Sequence, residues 1–485
     1  MPNMTLNETA QEAAGVPLFV DLDGTLVKSD TLVDSLLVLM RMKPALLFRL
    51  PGRLVRGGKA SFKAFFSESI TVDVVHLPYN RILVKYLQQQ RAQGRVIYLA
   101  TGADEQLAQR VSEQLGIFSG VMGSDGATNL TGDNKLARLQ SFVNSGAFDY
   151  IGNDRPDLPL LASARQPMVA NPTRGLLRGL KTRRIQPVQE FVESSHPVKS
   201  ILKAIRLHQW AKNALIFAPL LLAHGLAMGK VLTALLAFFC FSLTASATYI
   251  VNDLLDIEAD RRHPRKRLRP FASGDLSAFA GAGIVAAFLL LALLGARMLP
   301  MSFYGWLLVY LATTLAYSSV LKRIALVDVL VLAGLYTLRL QAGAAATQTP
   351  ISHWLAGFSV FLFLSLAFVK RFAELQNLRA SGSSPKNGRG YLVADLEQLR
   401  SFGTASAFAS VVVFANYISG RDVVLLYRQA SYLWLIVPLL ILWLCRVWLL
   451  ASRGDLNEDP VIFALSDRTS LVLGVAVAVI TVLAI

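Results

Sequence analysis

The sequence predicts a chain in two parts. The first is an α/β unit built on a doubly wound parallel sheet with a helical cap. The second is an all-α integral membrane domain of about nine transmembrane helices. Three observations carry this. Hydrophobic residues make up 53% of the 485 residues and charged residues only 16%, with a mean hydropathy of +0.46; an ordinary soluble chain carries about 25% charge. The apolar excess lies beyond Asn213, whereas residues 1 to about 200 alternate short apolar runs with helical patterns. Polar motifs stand at the ends of those apolar runs, where ligands bind in parallel sheets. This composition excludes a disordered chain and argues against one soluble throughout. Lys and Arg number 48 against 32 Asp and Glu, a net charge of +16. On so apolar a chain, that charge points to anionic lipid or phosphorylated substrates rather than to nucleic acid. Cys240 and Cys445 both lie in apolar runs, which argues against a disulfide scaffold or a cysteine zinc site.

The elements follow in order. Met1 to Val16 is polar and lacks the apolar core of a signal peptide, so the first domain is expected in the cytoplasm. Pro17–Val20 reads as a buried strand ending in Asp-Leu-Asp-Gly-Thr. Leu32 to Ile70 reads as helical and basic, Asn80 to Gln93 as a helix, Arg95 to Ala100 as a second strand, Asp104 to Leu115 as a helix and Phe148 to Ile151 as a further strand. The basic stretch holds Arg41, Lys43, Arg49, Arg53, Arg56 and Lys59. It reads either as a cap over the site with a solvated face or as a surface lying on the membrane. The domain is expected to span 1–184, with a linker over 185–200 and the membrane domain over 201–485.

Apolar stretches of membrane length fall near 213–228, 231–254, 277–298, 302–320, 326–347, 353–369, 402–419, 431–450 and 469–485. The loops at 255–276, 321–325, 370–401 and 446–468 hold 17 Lys and Arg, against about 4 in the opposite set. The positive-inside rule places the richer set in the cytoplasm. With an odd helix count the N-terminal domain shares that side, at a bacterial inner (plasma) membrane.

Asp21 and Asp23 place two carboxylates two residues apart at a strand end. Such a pair can divide the work of phosphoryl transfer: one oxygen attacks phosphorus and binds Mg²⁺, and the other protonates the leaving oxygen. Gly24 permits close backbone approach. Thr101, after the second strand, is placed to hold a phosphoryl oxygen, and Lys135 to neutralise charge. Asp154 and Asp157 offer hard oxygen ligands to complete the Mg²⁺ shell. This ordered set, from residue 17 to about 172, resembles the haloacid dehalogenase superfamily of aspartate-nucleophile phosphatases. The resemblance implies Asp21 as nucleophile, Asp23 as acid and base, and Thr101 and Lys135 as phosphate holders. The family often has Gly-Asp at its fourth motif, where this chain has Gly152-Asn153-Asp154. Whether Asn153 or Asp154 faces the metal stays open.

In the membrane half, Asn252, Asp253, Asp256 and Asp260 recur at spacings of three and four and are expected on one helix face. Carboxylates so placed repel one another unless a divalent cation gathers them, as Mg²⁺ holding a diphosphate does. Lys266, Arg267 and Arg269 follow as cations for phosphate. A second polar set is Tyr317, Ser318, Lys322, Arg323 and Asp328, with Arg339 deeper in the next apolar stretch, where an ionised group is costly and a functional candidate. Further sets are Lys370, Arg371 and Glu374, then Asp459 and Asp467. His208-Gln-Trp210-Ala-Lys212-Asn213 leads into the first helix, with Trp210 read as an interfacial anchor.

From about residue 203 onward these motifs resemble the UbiA superfamily of intramembrane prenyltransferases. The strings NDxxDxxxDxxHPxKRxRP, HQWxKN, YSxxLK, KRFAEL and DPxxFALxDR resemble its decaprenyl-phosphate phosphoribosyltransferase branch. In the second set only Asp328 is acidic, a departure from the aromatic prenyltransferase pattern. The resemblance implies phosphoribosyl diphosphate and polyprenyl phosphate as substrates and Mg²⁺ in both domains. It places the metal on Asp253, Asp256 and Asp260, and substrate on Asn252, Lys212, Lys266, Arg269, Tyr317, Lys322, Asp328, Arg339, Lys370 and Glu374. Joined to a phosphatase, the expected enzyme moves 5-phosphoribose to the lipid and then removes the 5-phosphate. The alternative is a prenyltransferase acting on an aromatic or tetrapyrrole acceptor beside an independent phosphatase. The sequence leaves lipid length, final pentose acceptor and oligomeric state open, a homo-oligomer included.

Overall fold

The computed structural model describes residues 15–49, 65–66, 69–125, 129–144, 146–193, 196–380, 389–456 and 459–485. Arg53, Arg56 and Lys59 of the expected basic cap lie outside the described residues. The chain divides into two units, the first made of 1–204 with 253–282 and the second of 205–252 with 283–485.

The first unit is a six-stranded sheet in the order β3-β2-β1-β4-β5-β6. Its strands are β1 (Leu18–Val20), β2 (Ile97–Asp104), β3 (Gly120–Ser124), β4 (Asp149–Gly152), β5 (Pro167–Ala170) and β6 (Gln189–Phe191), all paired in parallel. Parallel strands need crossovers, which the helices α1 (Thr31–Met42), α2 (Arg81–Ala92), α3 (Glu105–Leu115), α4 (Asp133–Phe142), α5 (Leu158–Ser163) and α6 (Arg174–Arg183) supply. Alternating side chains bury both faces. Leu18, Val20, Ile97, Leu99 and Ile151 pack into one core, and Phe19, Ala100, Tyr150 and Val169 into the other. Four helix starts are capped by residues the sequence supplies: Asp30 for α1, Asn80 for α2, Asp104 for α3 and Thr173 for α6. Asn80 is fully buried and also donates to the Phe191 carbonyl at 3.1 Å, tying α2 to β6. Within the expected helical run over 32–70, α1 ends at Met42 and a 3-10 turn over Pro44–Arg49 follows, while residues 50–64, 67 and 68 lie outside the described residues. Lys43 and Pro44 account for the change, since the residue before a proline is pushed out of the helical region.

Among the described residues six helices are long and apolar enough to cross a membrane. They include α7 (Met228–Leu255), α9 (Ala278–Ala296), α11 (Val327–Thr347), α12 (His353–Ala380), α13 (Leu396–Ile418) and α14 (Ile436–Arg453); the short α8 (Ile257–Arg262) and the helices α10 (Met301–Ser319) and α15 (Arg468–Ala484) complete the series. The first expected stretch, 213–228, is not one helix. A 3-10 segment over Leu207–Phe217 leads to a short helix at Ala218–Leu222. Pro219 has no N–H to continue a helical ladder, and Asn213 is held sideways, donating to Ser242 at 2.9 Å and accepting from Arg339 at 2.8 Å. Trp210 likewise donates to Ser246 at 2.9 Å rather than serving only as an anchor. In the second unit α12 packs along α11 and α13, around a core that includes Phe368, Phe372, Leu399 and Trp448.

Candidate functional site

The loop after β1 carries Asp21 and Asp23 to the C-terminal edge of the sheet, into a cavity of about 500 Å³. Lys135 of α4 reaches in from the side. Its Nζ donates to Asp21 Oδ1 at 2.8 Å, to the Tyr150 hydroxyl at 3.0 Å and to Asp157 Oδ1 at 3.4 Å. The Tyr150 hydroxyl donates in turn to Asp157 Oδ1 at 2.8 Å. Asp157 Oδ2 accepts the backbone N–H of Asn153 at 3.0 Å and of Asp154 at 3.2 Å. Both Asp157 oxygens are therefore engaged, an arrangement that orders the loop and aims Lys135. The Asp154 carboxylate accepts from the Thr173 hydroxyl at 2.7 Å. The Asn153 side chain instead lies over the loop of the paired carboxylates: a Cβ on Gly24, which turns through φ +72°, would sit 1.9 Å from Asn153 Nδ2. Thr101 is fully buried and its hydroxyl accepts the Ala103 N–H at 3.0 Å, so the cavity surface there is Gly102.

Burial raises the Asp21 pKa to about 6 despite the ammonium of Lys135 beside it. Burial, reinforced by the negative charge of Asp30, raises Asp23 to about 7, even though its Oδ1 accepts the Thr31 N–H at 2.7 Å. Burial also works against the Lys135 charge, but Asp21 and Asp157 together hold its pKa above the usual lysine value. Two buried carboxylates that resist ionising fit a divalent cation. A carboxylate whose folded pKa is raised binds more protons folded than unfolded, so metal-free protein loses stability as pH climbs from about 4 to about 7. Adding Mg²⁺ is accordingly expected to raise the unfolding temperature at pH 7.5 and to change it little at pH 5; equal shifts at both pH values would take the metal away from this pair.

The acidic motif lies where α7 ends. Helical geometry is interrupted at Asp256 (φ −95°, ψ 7°) and resumes in α8. This corrects the expectation of one unbroken helix face. Aspartates at three- and four-residue spacing repel one another, and aspartate favours helix termini over interiors. Asp253 and Asp260 nevertheless converge, because Arg269 Nη1 donates to both, at 3.0 and 2.6 Å. Asp256 is instead 3.6 Å from Arg41 of α1. Burial raises the Asp260 pKa, an effect that Arg269 partly offsets. Lys266 lies close enough to act in the same direction as Arg269. Among the described residues no three His, Cys, Asp or Glu side chains form a ready-made metal cluster. That donor set suits Mg²⁺, which takes one or two carboxylates and fills its shell with water and substrate phosphate.

The second unit gathers the remaining candidates into four groups. Lys322 donates to Asn252 Oδ1 at 3.0 Å. Lys212 and Lys370 converge on Asp459 Oδ2, both at 2.7 Å, while Tyr336 donates to its other oxygen at 3.3 Å. Asp328 is fully buried; it accepts from the Tyr317 hydroxyl at 2.7 Å and from Arg371 through both Nε and Nη2. Arg371 also pairs with Glu374 at 2.6 Å, and Arg389 donates to Tyr317 at 3.1 Å. Arg339 is held by Asn213, the Leu335 carbonyl and Tyr310, with the rings of Phe241 and Tyr336 near its guanidinium. Its charge is thereby satisfied inside the unit.

Sequence reasoning missed Tyr150 and Arg389, and it placed Arg371 and Asp459 in polar sets without giving either a role. A tyrosine in a strand next to a polar motif was the available signal for the first. Arg371 sat beside a chosen lysine, and nothing local separates the two.

These features describe an integral membrane protein that joins a parallel α/β sheet unit to a helical transferase-type domain. The chain belongs to the UbiA prenyltransferase family, whose sequence profile matches residues 214–471. It is 38% identical over 471 residues to the uncharacterized protein y4nM of Sinorhizobium fredii, covering 96% of this chain and 90% of that one. It is 34% identical over 284 residues to the decaprenyl-phosphate phosphoribosyltransferase of Mycobacterium tuberculosis, covering 58% of this chain and 92% of that one. Among solved structures, a UbiA homolog from Archaeoglobus fulgidus bound to GPP and Mg²⁺ overlays with a TM-score of 0.46 at 18% identity, covering 58% of this chain and 97% of that one.

Proposed function

We propose that the chain is a two-step membrane enzyme. It transfers 5-phosphoribose from phosphoribosyl diphosphate to a polyprenyl phosphate, then removes the 5-phosphate to leave polyprenyl-phosphoryl ribose. The observation that carries the reading is the 34% identity to a decaprenyl-phosphate phosphoribosyltransferase over nearly all of that enzyme. The convergence of Asp253 and Asp260 on Arg269 supports it. In the first step the bond from ribose C1 to the diphosphate breaks while a lipid phosphate oxygen forms the new one. The nucleophile is already an anion, so no general base is required. Asp253 and Asp260 would hold Mg²⁺, which neutralises the departing diphosphate, while Asp256 stands apart against Arg41. Arg269 and Lys266 bind phosphate oxygens, and Lys322, Lys370 and Lys212 offer further cations to donor or lipid phosphate. Asn252 and Tyr317 offer neutral hydrogen bonds.

In the second step the N-terminal unit acts as a haloacid dehalogenase-type phosphatase. Asp21 attacks phosphorus, and the ribose 5-oxygen leaves with a proton from Asp23. Asp23 then deprotonates water, which releases inorganic phosphate and restores Asp21. Lys135 offsets charge on the phosphoryl group, with Asp157 and Tyr150 fixing its place. Asp21, Asp23 and Asn153 would hold Mg²⁺ here, with Asp154 behind them. Both sites lie on the cytoplasmic side of the inner membrane in this reading.

The test is to incubate wild type and Asp21→Asn with phosphoribosyl diphosphate, polyprenyl phosphate and Mg²⁺, and to read the lipids by mass spectrometry. Wild type is expected to give the dephosphorylated ribosyl lipid and Asp21→Asn to accumulate its 5-phosphate. If neither protein makes a ribosyl lipid, the donor assignment is wrong.

A further inference from the structure

Residues 271–279 close one side of the Asp21 cavity. Phe271, Leu276, Ala278 and Phe279 line it with Ile257, so an apolar wall stands within the cavity that holds Asp21, Asp23 and Lys135. Arg261 clips this wall in place. Its Nη1 donates to Asp34 Oδ2 at 2.8 Å, its Nη2 to Asp34 Oδ1 at 3.2 Å and to Ser29 at 3.1 Å, and its Nε to the Ala272 carbonyl at 3.2 Å. Arg261 and Asp34 are both buried. Lys28 adds a tie to Asp275 at 3.2 Å. Beside it Gly274 turns through φ +74°, and a Cβ there would lie 2.7 Å from the Lys28 Cβ. The wall runs without a break into α9, the apolar helix that starts at Ala278, and Phe279 on its first turn is 72% exposed.

A small soluble phosphomonoester draws no binding from an apolar wall that continues into a membrane span. A phosphomonoester whose other end is buried in lipid does, because its chain and linker lie along that surface while its phosphate reaches the carboxylates. We propose that residues 271–279, held by Arg261, select membrane-anchored phosphomonoesters for the Asp21 site over the same head group in free solution. The inference rests on the phosphatase reading above and names the element that chooses its substrate.

The test uses full-length protein in phosphatidylcholine vesicles and two probes with one head group, farnesyl-phosphoryl and methyl-phosphoryl ribose 5-phosphate. Phosphate release gives kcat/KM for each. Wild type is expected to favour the farnesyl probe by about a hundredfold, the scale on which pocket contacts discriminate. Arg261→Met frees the wall and Gly274→Val displaces it. Both are expected to cut that ratio at least about tenfold, leaving the methyl probe within about threefold of wild type. Phe279→Ser alters only an exposed face, so it tests the wall even if the other two variants fold poorly; it is expected to lower the ratio in the same direction. Concentration of the farnesyl probe in the vesicle favours every variant alike, so the change between variants carries the result. A wild type without preference, or a ratio unchanged in all three variants, overturns the proposal. Hydrolysis of neither probe by wild type, or hydrolysis undiminished in Asp21→Asn, overturns the phosphatase reading and the selection proposal with it.

Discussion

Asp253→Asn is expected to lower phosphoribosyl transfer at least about a thousandfold, the loss typical when a group that supports a departing charge is removed. The substitution keeps the size of the side chain and its hydrogen bonding. Asp253 is 2% exposed and shares Arg269 with Asp260, so Arg269 retains a carboxylate partner and the fold should persist. Transfer of radiolabelled phosphoribose to polyprenyl phosphate, beside circular dichroism and size exclusion in detergent, separates the two effects. Phosphate release from the farnesyl probe should be unchanged, because the proposed function assigns that step to Asp21. Retained transfer would remove Asp253 from the metal site, and lost helicity would make it structural.

Arg371→Met is expected to destabilise the protein by about 3–5 kcal/mol. It leaves Asp328, fully buried, facing Tyr317 without the forked guanidinium that now meets it through Nε and Nη2. Glu374 loses its closer partner and keeps Arg389 at 3.8 Å. A charge stranded in a protein interior costs far more than the intact pair contributes, so pairing Arg371→Met with Asp328→Leu should recover most of the loss. Thermal unfolding of the two proteins in detergent measures this. If the single variant melts with wild type, the cluster is not a stability element and its charges are available for substrate.

What could be read from the sequence divides along a physical line. Carboxylates at the end of an apolar run, the strand alternation around them and the membrane-length stretches are local patterns, and β1, β2, β4 and six apolar helices appear where those patterns put them. The basic end of α12 was expected to leave the helix after 369, yet the helix runs to Ala380 because Asp328 and Glu374 neutralise Arg371 within it. The Asp328 part of that compensation comes from 43 residues away and leaves no local trace. Lys212 and Asp459 meet across 247 residues, and Arg261 and Asp34 across 227. Periodicity says which face of an element is polar; only the tertiary fold says which opposite charge that face will find. Asp157 differs: its residue type suits a metal shell, but the hydroxyl of Tyr150, seven residues earlier, takes up one of its oxygens.

The membership of residues 253–282 in the first unit has a consequence for anyone who would excise the N-terminal part. A fragment ending after residue 204 keeps every strand of the sheet, so it has reason to fold. It would nonetheless lack Arg261, and Asp34, 3% exposed in the whole chain, would lose the guanidinium that neutralises it. Its cavity would stand open on the side that Phe271 and Leu276 now close. On the proposed function, such a fragment would report the reactivity of Asp21 with its discrimination stripped away, and a broad substrate range measured on it would be a property of the cut.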